Sequence, residues 1–252
     1  MSYYSKQHAV VTGGASGIGA AIAGQLAQTG MRVTLMGRKQ ERLLATANRF
    51  DAATQQVDVS KPDDVQRGFA AAVQMNGPVT ILVNNAGAVE TSTFAKMSDE
   101  LWNTMLAVNL TGTYLCTKSV VESMAEAGFG RIINIASTAS LKGYAYVSAY
   151  CAAKHGVLGL TRSLALELAR KGVTVNAVCP GYTDTEMVSR SLDTIVERTG
   201  MDREQALAEL VKSNPQGRLI KPAEIAETVL WLCSPNSASI TGQAIAVAGG
   251  EV

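Results

Sequence analysis

Thr12-Gly13-Gly14-Ala15-Ser16-Gly17-Ile18-Gly19 closes a short apolar run that begins at His8, and it opens an apolar helical pattern that continues over residues 20–28. A strand, a tight turn and a helix in that order begin a βαβ unit. Glycines at such a turn have a steric purpose. Without Cβ atoms the backbone turns sharply and approaches a phosphate, while the next helix N-terminus offers unpaired N–H groups and a partial positive charge. Gly13, Ser16, Gly17, Ile18 and Gly19 are therefore candidates to hold a dinucleotide pyrophosphate. Taken alone, the stretch also reads as an ordinary strand-to-helix turn.

Outward from this turn the same alternation repeats. Apolar runs at 33–36, 54–57, 79–83, 131–135, 173–178 and 244–247 predict strands, and helical spacing predicts helices over 39–50, from Ser60 with Pro62, over 99–127 and over 149–170. Runs such as Ile81-Leu82-Val83 and Ile132-Ile133 lack a polar face, which indicates a parallel sheet covered by helices on both sides. The expected fold class is α/β, a doubly wound parallel sheet of Rossmann type, in a single domain over residues 1–252. Residues 182–218 depart from the rhythm. There, helical patterns at 185–198 and 202–211, with Gly200 between them and Asn214-Pro215 as a stop, predict a small lid of two helices.

The chain has 252 residues, 47% of them hydrophobic, enough for one large core. A formal charge of +1 supplies no field to concentrate nucleic acid or an anionic membrane, which favours a small-molecule partner. Cys116, Cys151, Cys179 and Cys233 form no paired motif and read as reduced thiols, and His8 and His155 suggest no metal site. The first six residues carry no apolar leader and no later run is long enough to span a membrane, so a cytoplasmic location is expected.

The residue at the end of the second strand selects the ribose, because a carboxylate there binds a free 2′-hydroxyl and repels a 2′-phosphate. The sequence reads Met36-Gly37-Arg38-Lys39, with no acid, and Arg38 can form charge-assisted bonds to a phosphate. NADP(H) is expected ahead of NAD(H), which stays possible. The alternative is that Arg38 and Lys39 are solvated residues opening the next helix.

Tyr150-Cys151-Ala152-Ala153-Lys154 puts a phenol and an ammonium on one helix face. A nearby cation stabilises a phenolate and is expected to lower the tyrosine pKa from its ordinary value of about 10. Tyr150 follows the strand at 131–135, whose C-terminal edge carries Ser137, a donor for a carbonyl oxygen. Asn109, in Val108-Asn109-Leu110-Thr111-Gly112, is unfavourable inside a helix; it reads either as a helix-breaking residue or as a side chain bonded locally to backbone.

Over essentially its whole length the chain resembles the short-chain dehydrogenase/reductase family, through residues 12–19, Asp58-Val59, Asn84-Asn85-Ala86-Gly87, Asn109, Ser137, Tyr150 with Lys154, and Pro180-Gly181. The resemblance implies that Asp58 and Val59 contact adenine, that the backbone of Asn85, Ala86 and Gly87 lies beside the adenosine ribose, and that Lys154 holds the nicotinamide ribose. It also places Pro180, Gly181, Thr183 and Thr185 at the nicotinamide end, the threonines on the carboxamide. By the same resemblance Ser137 orients the substrate oxygen, Tyr150 transfers the proton and Asn109 keeps a water in a relay through Lys154. One departure stands near the end, where Ala248-Gly249-Gly250 lacks the acid that many relatives carry before the two glycines.

The lid offers Met187, Val188, Leu192, Ile195, Val196, Leu207, Leu210 and Val211, which either meet an apolar acyl chain or pack the lid onto the body. Its similarity to the lids of 3-hydroxybutyrate dehydrogenases and polyketide ketoreductases, with a core like that of 3-oxoacyl reductases, points to a 3-oxoacyl thioester or related β-keto compound. A coenzyme A ester is preferred to a carrier-protein substrate, because near the entrance only Arg131, Arg170 and Lys171 supply basic charge. Small residues at 152, 153, 156, 159 and 165 allow close helix approach, and the resemblance implies a homodimer or homotetramer. An NAD-dependent dehydrogenase of a 3-hydroxy acid is the neighbouring reading. A non-catalytic dinucleotide-binding regulator is the distant one, and survival of the acid-base residues argues against it.

Overall fold

The computed structural model describes residues 3–252. Among these, seven parallel strands form one sheet: β1 (His8–Thr12), β2 (Arg32–Gly37), β3 (Ala53–Gln56), β4 (Ile81–Asn84), β5 (Gly130–Ile135), β6 (Val173–Pro180) and β7 (Ala244–Val247). The spatial order β3-β2-β1-β4-β5-β6-β7 is the expected doubly wound arrangement, with the chain direction across the sheet reversing between β1 and β4. Alternation along each strand feeds two cores. Ala9, Val11, Leu35, Val83 and Ile133 face α1 (Gly17–Gln28), α2 (Gln40–Ala47) and α9 (Pro222–Cys233). Val10, Met36, Leu82 and Ile132 face α3 (Pro62–Asn76), α5 (Gly112–Glu126) and α6 (Ser148–Leu168). Burial on both faces is why the strands carry no polar stripe, and each fully covered Leu, Ile or Val contributes about 1.5–3 kcal/mol.

Three boundaries differ from the sequence reading, each for a local reason. The first helix begins at Gly17, inside the glycine turn, so the turn's N–H groups belong to the helix itself. The second helix ends at Ala47 and not at residue 50, and Asp51 with φ 55° turns the chain away. The pattern at 99–127 is not one helix. It forms α4 (Asp99–Leu106) and α5, joined by a π turn, Ala107–Thr111. The Asn109 amide donates to Met105 O at 3.0 Å, one turn back, and to Ala88 O at 2.9 Å, diverting the helix from its regular ladder.

The lid consists of α7 (Glu186–Thr199) and α8 (Arg203–Val211), separated by Gly200 at φ 73°. Val188, Leu192 and Ala206 are buried between them, with Ile195, Val196, Leu207 and Leu210 packed around. Most apolar lid residues therefore hold the lid together, whereas Met187 stays exposed. A short ladder anchors its base: Ile220 N donates to Tyr182 O at 2.8 Å and Asp184 N to Ile220 O at 2.9 Å.

At the amino end of β1, inside the sheet, His8 is fully buried, its Nδ1 donating to Gly77 O at 2.8 Å and its Nε2 accepting from Thr34 Oγ1 at 2.9 Å. That pattern requires the neutral ring. Burial, aided by Arg32 and opposed by the Gly77 bond, holds its pKa below the ordinary value. The unfolded chain then binds the proton more readily, so His8's stability contribution is complete above about pH 6.5 and is lost as pH falls below it. Urea midpoints between about pH 7 and pH 5 should fall with a His8 slope of at most about 1.4 kcal/mol per pH unit, and His8→Gln should flatten that slope. An unchanged slope in the variant would exclude His8 as the source.

Candidate active site

The carboxyl ends of β1 and β4 form the crevice where an α/β sheet takes its ligand. Gly13 (φ 64°) and Gly17 (φ 53°) lie in the left-handed region that side chains disfavour. Space is equally restrictive: a Cβ on Gly19 would lie 2.4 Å from Gly13 O and 2.5 Å from Asn85 Nδ2, and one on Gly13 would lie 2.9 Å from Ala86 Cα. Asn85 Nδ2 donates to Thr12 O at 3.0 Å and Gly13 O at 3.2 Å, while Thr12 Oγ1 accepts from Asn85 N and Ala86 N at 3.0 Å each. Asn85 thus stitches the glycine turn to the end of β4, a structural task beyond its expected place beside a ribose. The exposed Ser16 hydroxyl makes no cap bond, leaving it and the first N–H groups of α1 directed into the crevice.

At the end of β2 the Arg38 side chain is exposed and in no ion pair, and its carbonyl accepts from Gln56 Nε2 at 2.9 Å. Asp58 lies close to it. Burial pushes the Asp58 carboxyl up, but the Ser60 hydroxyl at 2.7 Å and backbone N–H at 3.0 Å, with Arg38 and Lys61, hold it below the usual range. Val59 is placed differently from its expected partner: its side chain is core, against Gly112, and only its backbone is left for a ligand.

Beyond β5, Ser137 accepts from Ala139 N at 3.1 Å and caps a short 3₁₀ turn, Thr138–Ser140, while its own hydroxyl proton is directed to the Tyr150 phenol oxygen. Tyr150 and Lys154 stand one turn apart on α6, as their spacing requires. The Lys154 ammonium, 5% exposed, lies 5.6 Å from the Tyr150 ring centroid and donates to Ile135 O at 2.9 Å. A Cβ on Gly87 would meet Asn109 Oδ1 at 2.9 Å and Lys154 Nζ at 3.8 Å, so these three residues share one small volume. Ser137, Tyr150, Lys154 and Asn109, far apart in sequence, are brought together.

The electrostatics correct one expectation. The Tyr150 phenol is pushed up to about 12, not lowered: burial dominates, and a hydrogen bond from Ser137 opposes it only in part. Burial likewise lowers Lys154 to about 8, partly offset by Cys179. Burial disfavours both charged forms, and the ammonium lies 5.6 Å from the centre of the phenol ring. Tyr150 is thus a fully protonated donor at neutral pH.

Residues 7–211 match the sequence pattern of the family described as short chain dehydrogenase. The chain belongs to that family. An acetoacetyl-CoA reductase of Rhizobium meliloti is 40% identical over 244 residues, which cover 96% of this chain and 97% of the relative. A D-beta-hydroxybutyrate dehydrogenase of the same organism is 36% identical over 250 residues, 96% and 97% of the two chains. Among solved structures, an actinorhodin polyketide ketoreductase variant with NADPH superposes with a TM-score of 0.95 at 40% identity, covering 100% of this chain and 99% of that one. As a short-chain dehydrogenase this chain is an oxidoreductase that uses NAD(P), and the glycine cradle described above fits such a dinucleotide.

Elsewhere in this dehydrogenase, Thr183 Oγ1 donates to Gly181 O at 2.9 Å and Thr185 Oγ1 to Thr183 O at 3.2 Å, so both hydroxyls keep acceptor capacity for an amide N–H. Thr185 also touches Gly17, closing the lid base onto the glycine turn. Pro180 ends β6, and Gly181 N donates to Val247 O at 3.1 Å. Arg131 is not an entrance residue: it is 3% exposed, stacked on Phe129 and bonded to Gly130 O, because the expected loop charge points into the body. The lid cations Arg190, Arg203 and Lys212 are each paired with Glu186, Asp193 and Glu209. Of the small residues expected at a helix interface, Ala153 and Ala165 are core and Gly156 packs on Leu110, while Ala152 and Gly159 face outward. Among the described residues no helix is long and apolar enough to cross a membrane.

The sequence reading missed a cleft of about 300 Å³ between the lid and the loop after Ser137, lined by Tyr144, Tyr182, Ile195, Glu209, Leu210 and Ser213. The signal available for it was weak: two tyrosines in segments without periodicity.

Proposed function

We propose that this dehydrogenase works in the reductive direction, taking a 3-oxoacyl thioester or related β-keto compound to its secondary alcohol with NADPH. The observation that carries the reading is the gathering of the Tyr150 phenol, the Ser137 hydroxyl and the buried Lys154 ammonium at the end of β5, with burial raising the phenol. A phenol pushed up to about 12 does not ionise near neutrality, yet it remains far more acidic than the alcohol it would form, so proton delivery to a developing alkoxide is favourable. The bound nicotinamide supplies the hydride. The chain's residues supply the rest. Ser137 turns its proton from the Tyr150 oxygen to the carbonyl oxygen; Tyr150 protonates it; Lys154, with donors to spare beyond Ile135 O, holds the nicotinamide ribose. Asn109 holds the loop at Ala88 and keeps one Oδ1 lone pair for a water next to Lys154.

Arg38, in place of an acid at the end of β2, favours NADPH over NADH. With Arg131 inside the body and Arg190, Arg203 and Lys212 of the lid paired with carboxylates, while Arg198 stays exposed, a coenzyme A ester stands ahead of a carrier-protein substrate. The chain is read as one cytoplasmic domain that assembles as a homodimer or homotetramer through the outward face of α6, where Ala152, Gly159 and the exposed Leu166 align.

The direct test follows NADPH and NADH oxidation with β-keto thioesters, simple ketones and cyclic ketones. The expected result is the highest kcat/KM for β-keto thioesters with NADPH. Oxidation of 3-hydroxy acids with NAD at much higher kcat/KM than any reduction would overturn the reading.

A further inference from the structure

One ionised side chain near the cleft has no part in the chemistry above. Glu251, the penultimate residue, has a side chain only 1% exposed. Its Oε1 accepts from the Tyr144 phenol at 2.5 Å and from the Lys142 ammonium at 3.0 Å. Tyr144 also exchanges a hydrogen bond with Thr138, the residue after Ser137, at 2.7 Å. The phenol has one proton and gives it to the carboxylate, so Thr138 donates to the phenol oxygen. The Ser213 hydroxyl, behind the lid, reaches the same carboxylate, and Oε2 abuts Gly181, where an added Cβ would lie 3.2 Å away. Three separate parts of the chain therefore converge on this C-terminal acid: the loop after β5, the end of β6 and the end of the lid.

Burying a carboxylate is costly unless it is paired and hydrogen-bonded; here Oε1 is paired with Lys142 and hydrogen-bonded by the cleft residue Tyr144, whereas Oε2 is left without a hydrogen bond among the described residues. Tyr144 and Ser213 line the 300 Å³ cleft together with Tyr182, Ile195 and Leu210. Lys142, 37% exposed on its side chain, is neutralised by Glu251, and Glu209 at the rim is paired with Lys212 at 3.4 Å. The cleft thus presents aromatic and apolar walls and no uncompensated cation.

We propose that Glu251 is a specificity-determining positioning residue whose buried carboxylate, with Lys142 as counter-ion, fastens Tyr144 into the cleft wall, so that the cleft admits the bulky neutral, ring-bearing or apolar part of a β-keto substrate, with any anionic part of that substrate left outside it. The substrate half of this proposal rests on the reading of the chain as a ketone reductase; the clamp itself does not. Glu251 does not touch the reacting atoms; its Oε2 packs beside Gly181 at the edge of the cofactor site. It acts by holding Tyr144 against the Thr138 hydroxyl, one residue from Ser137, and its own place is set by Gly181.

The experiment compares the wild-type protein with Glu251→Gln and Tyr144→Phe, alone and combined. The first measurement is limited trypsin cleavage after Lys142, which needs no substrate: loss of the clamp should raise cleavage at that bond about tenfold in Glu251→Gln, with bulk thermal unfolding little changed. The second is the ratio of kcat/KM for a bicyclic ketone to that for a short β-keto ester, which should fall about tenfold through a rise in KM for the bicyclic ketone. Glu251→Asp, one methylene shorter but charged, should recover part of both effects. In the double variant the effects should not add, because both substitutions break the same bond. Unchanged cleavage after Lys142, or equal losses on both ketones, overturns the proposal. If the wild type reduces no ketone, the functional reading fails while the cleavage result still decides whether the clamp exists.

Discussion

Tyr150→Phe is expected to lower kcat by at least about 10²–10⁴-fold while leaving NADPH affinity within a few-fold of the wild type. The side chain is half-buried on α6, and the ring of phenylalanine occupies the same space, so only the hydroxyl is lost. Removing it deprives the developing alkoxide of its proton donor and leaves the Ser137 hydroxyl without that partner, with no change in the glycine cradle on the far side of the crevice. Because the phenol stands at about 12, the wild-type reductive rate should also show no loss between about pH 6 and pH 8 from Tyr150 ionisation. Turnover near the wild-type value in the variant, with cofactor bound, would remove Tyr150 from the chemistry.

Arg38→Asp is expected to move the ratio of NADPH to NADH affinity by about 100-fold toward NADH, measured by nicotinamide fluorescence on binding each cofactor. The guanidinium at the end of β2 is exposed and in no ion pair, available for charge-assisted bonds to a 2′-phosphate. A carboxylate in its place repels that phosphate and accepts from a free ribose hydroxyl. Asp58, already below the usual carboxylate range through Ser60 and Arg38, would lose one of its compensating cations and rise. Equal affinities before and after substitution would show that Arg38 only opens α2.

Much of this architecture was legible because periodicity reports burial. Runs such as Ile81-Leu82-Val83 have no polar face, and only a sheet covered on both sides buries such a strand completely. The spacing of Tyr150 and Lys154 likewise guaranteed a shared helix face, and the glycines of residues 12–19 marked a turn that tolerates no Cβ. At Asn109 the sequence left a helix break and a local backbone bond both open, and the form taken, a π turn, depends on a bond to Ala88, a residue from another element. Nor was the location of Arg131, because a charge in a loop motif carries no sign of which way it points.

Local sequence determined what each segment is and which residue types reach the crevice: strand or helix, the glycine turn, and the phenol-ammonium pair on α6. Only the tertiary structure decided how those groups behave. A pKa and a clamp depend on what surrounds an atom in three dimensions, so the burial that raises Tyr150, and the gathering of Lys142, Tyr144 and Ser213 on Glu251, arise from segments that neighbour one another only once the chain has folded.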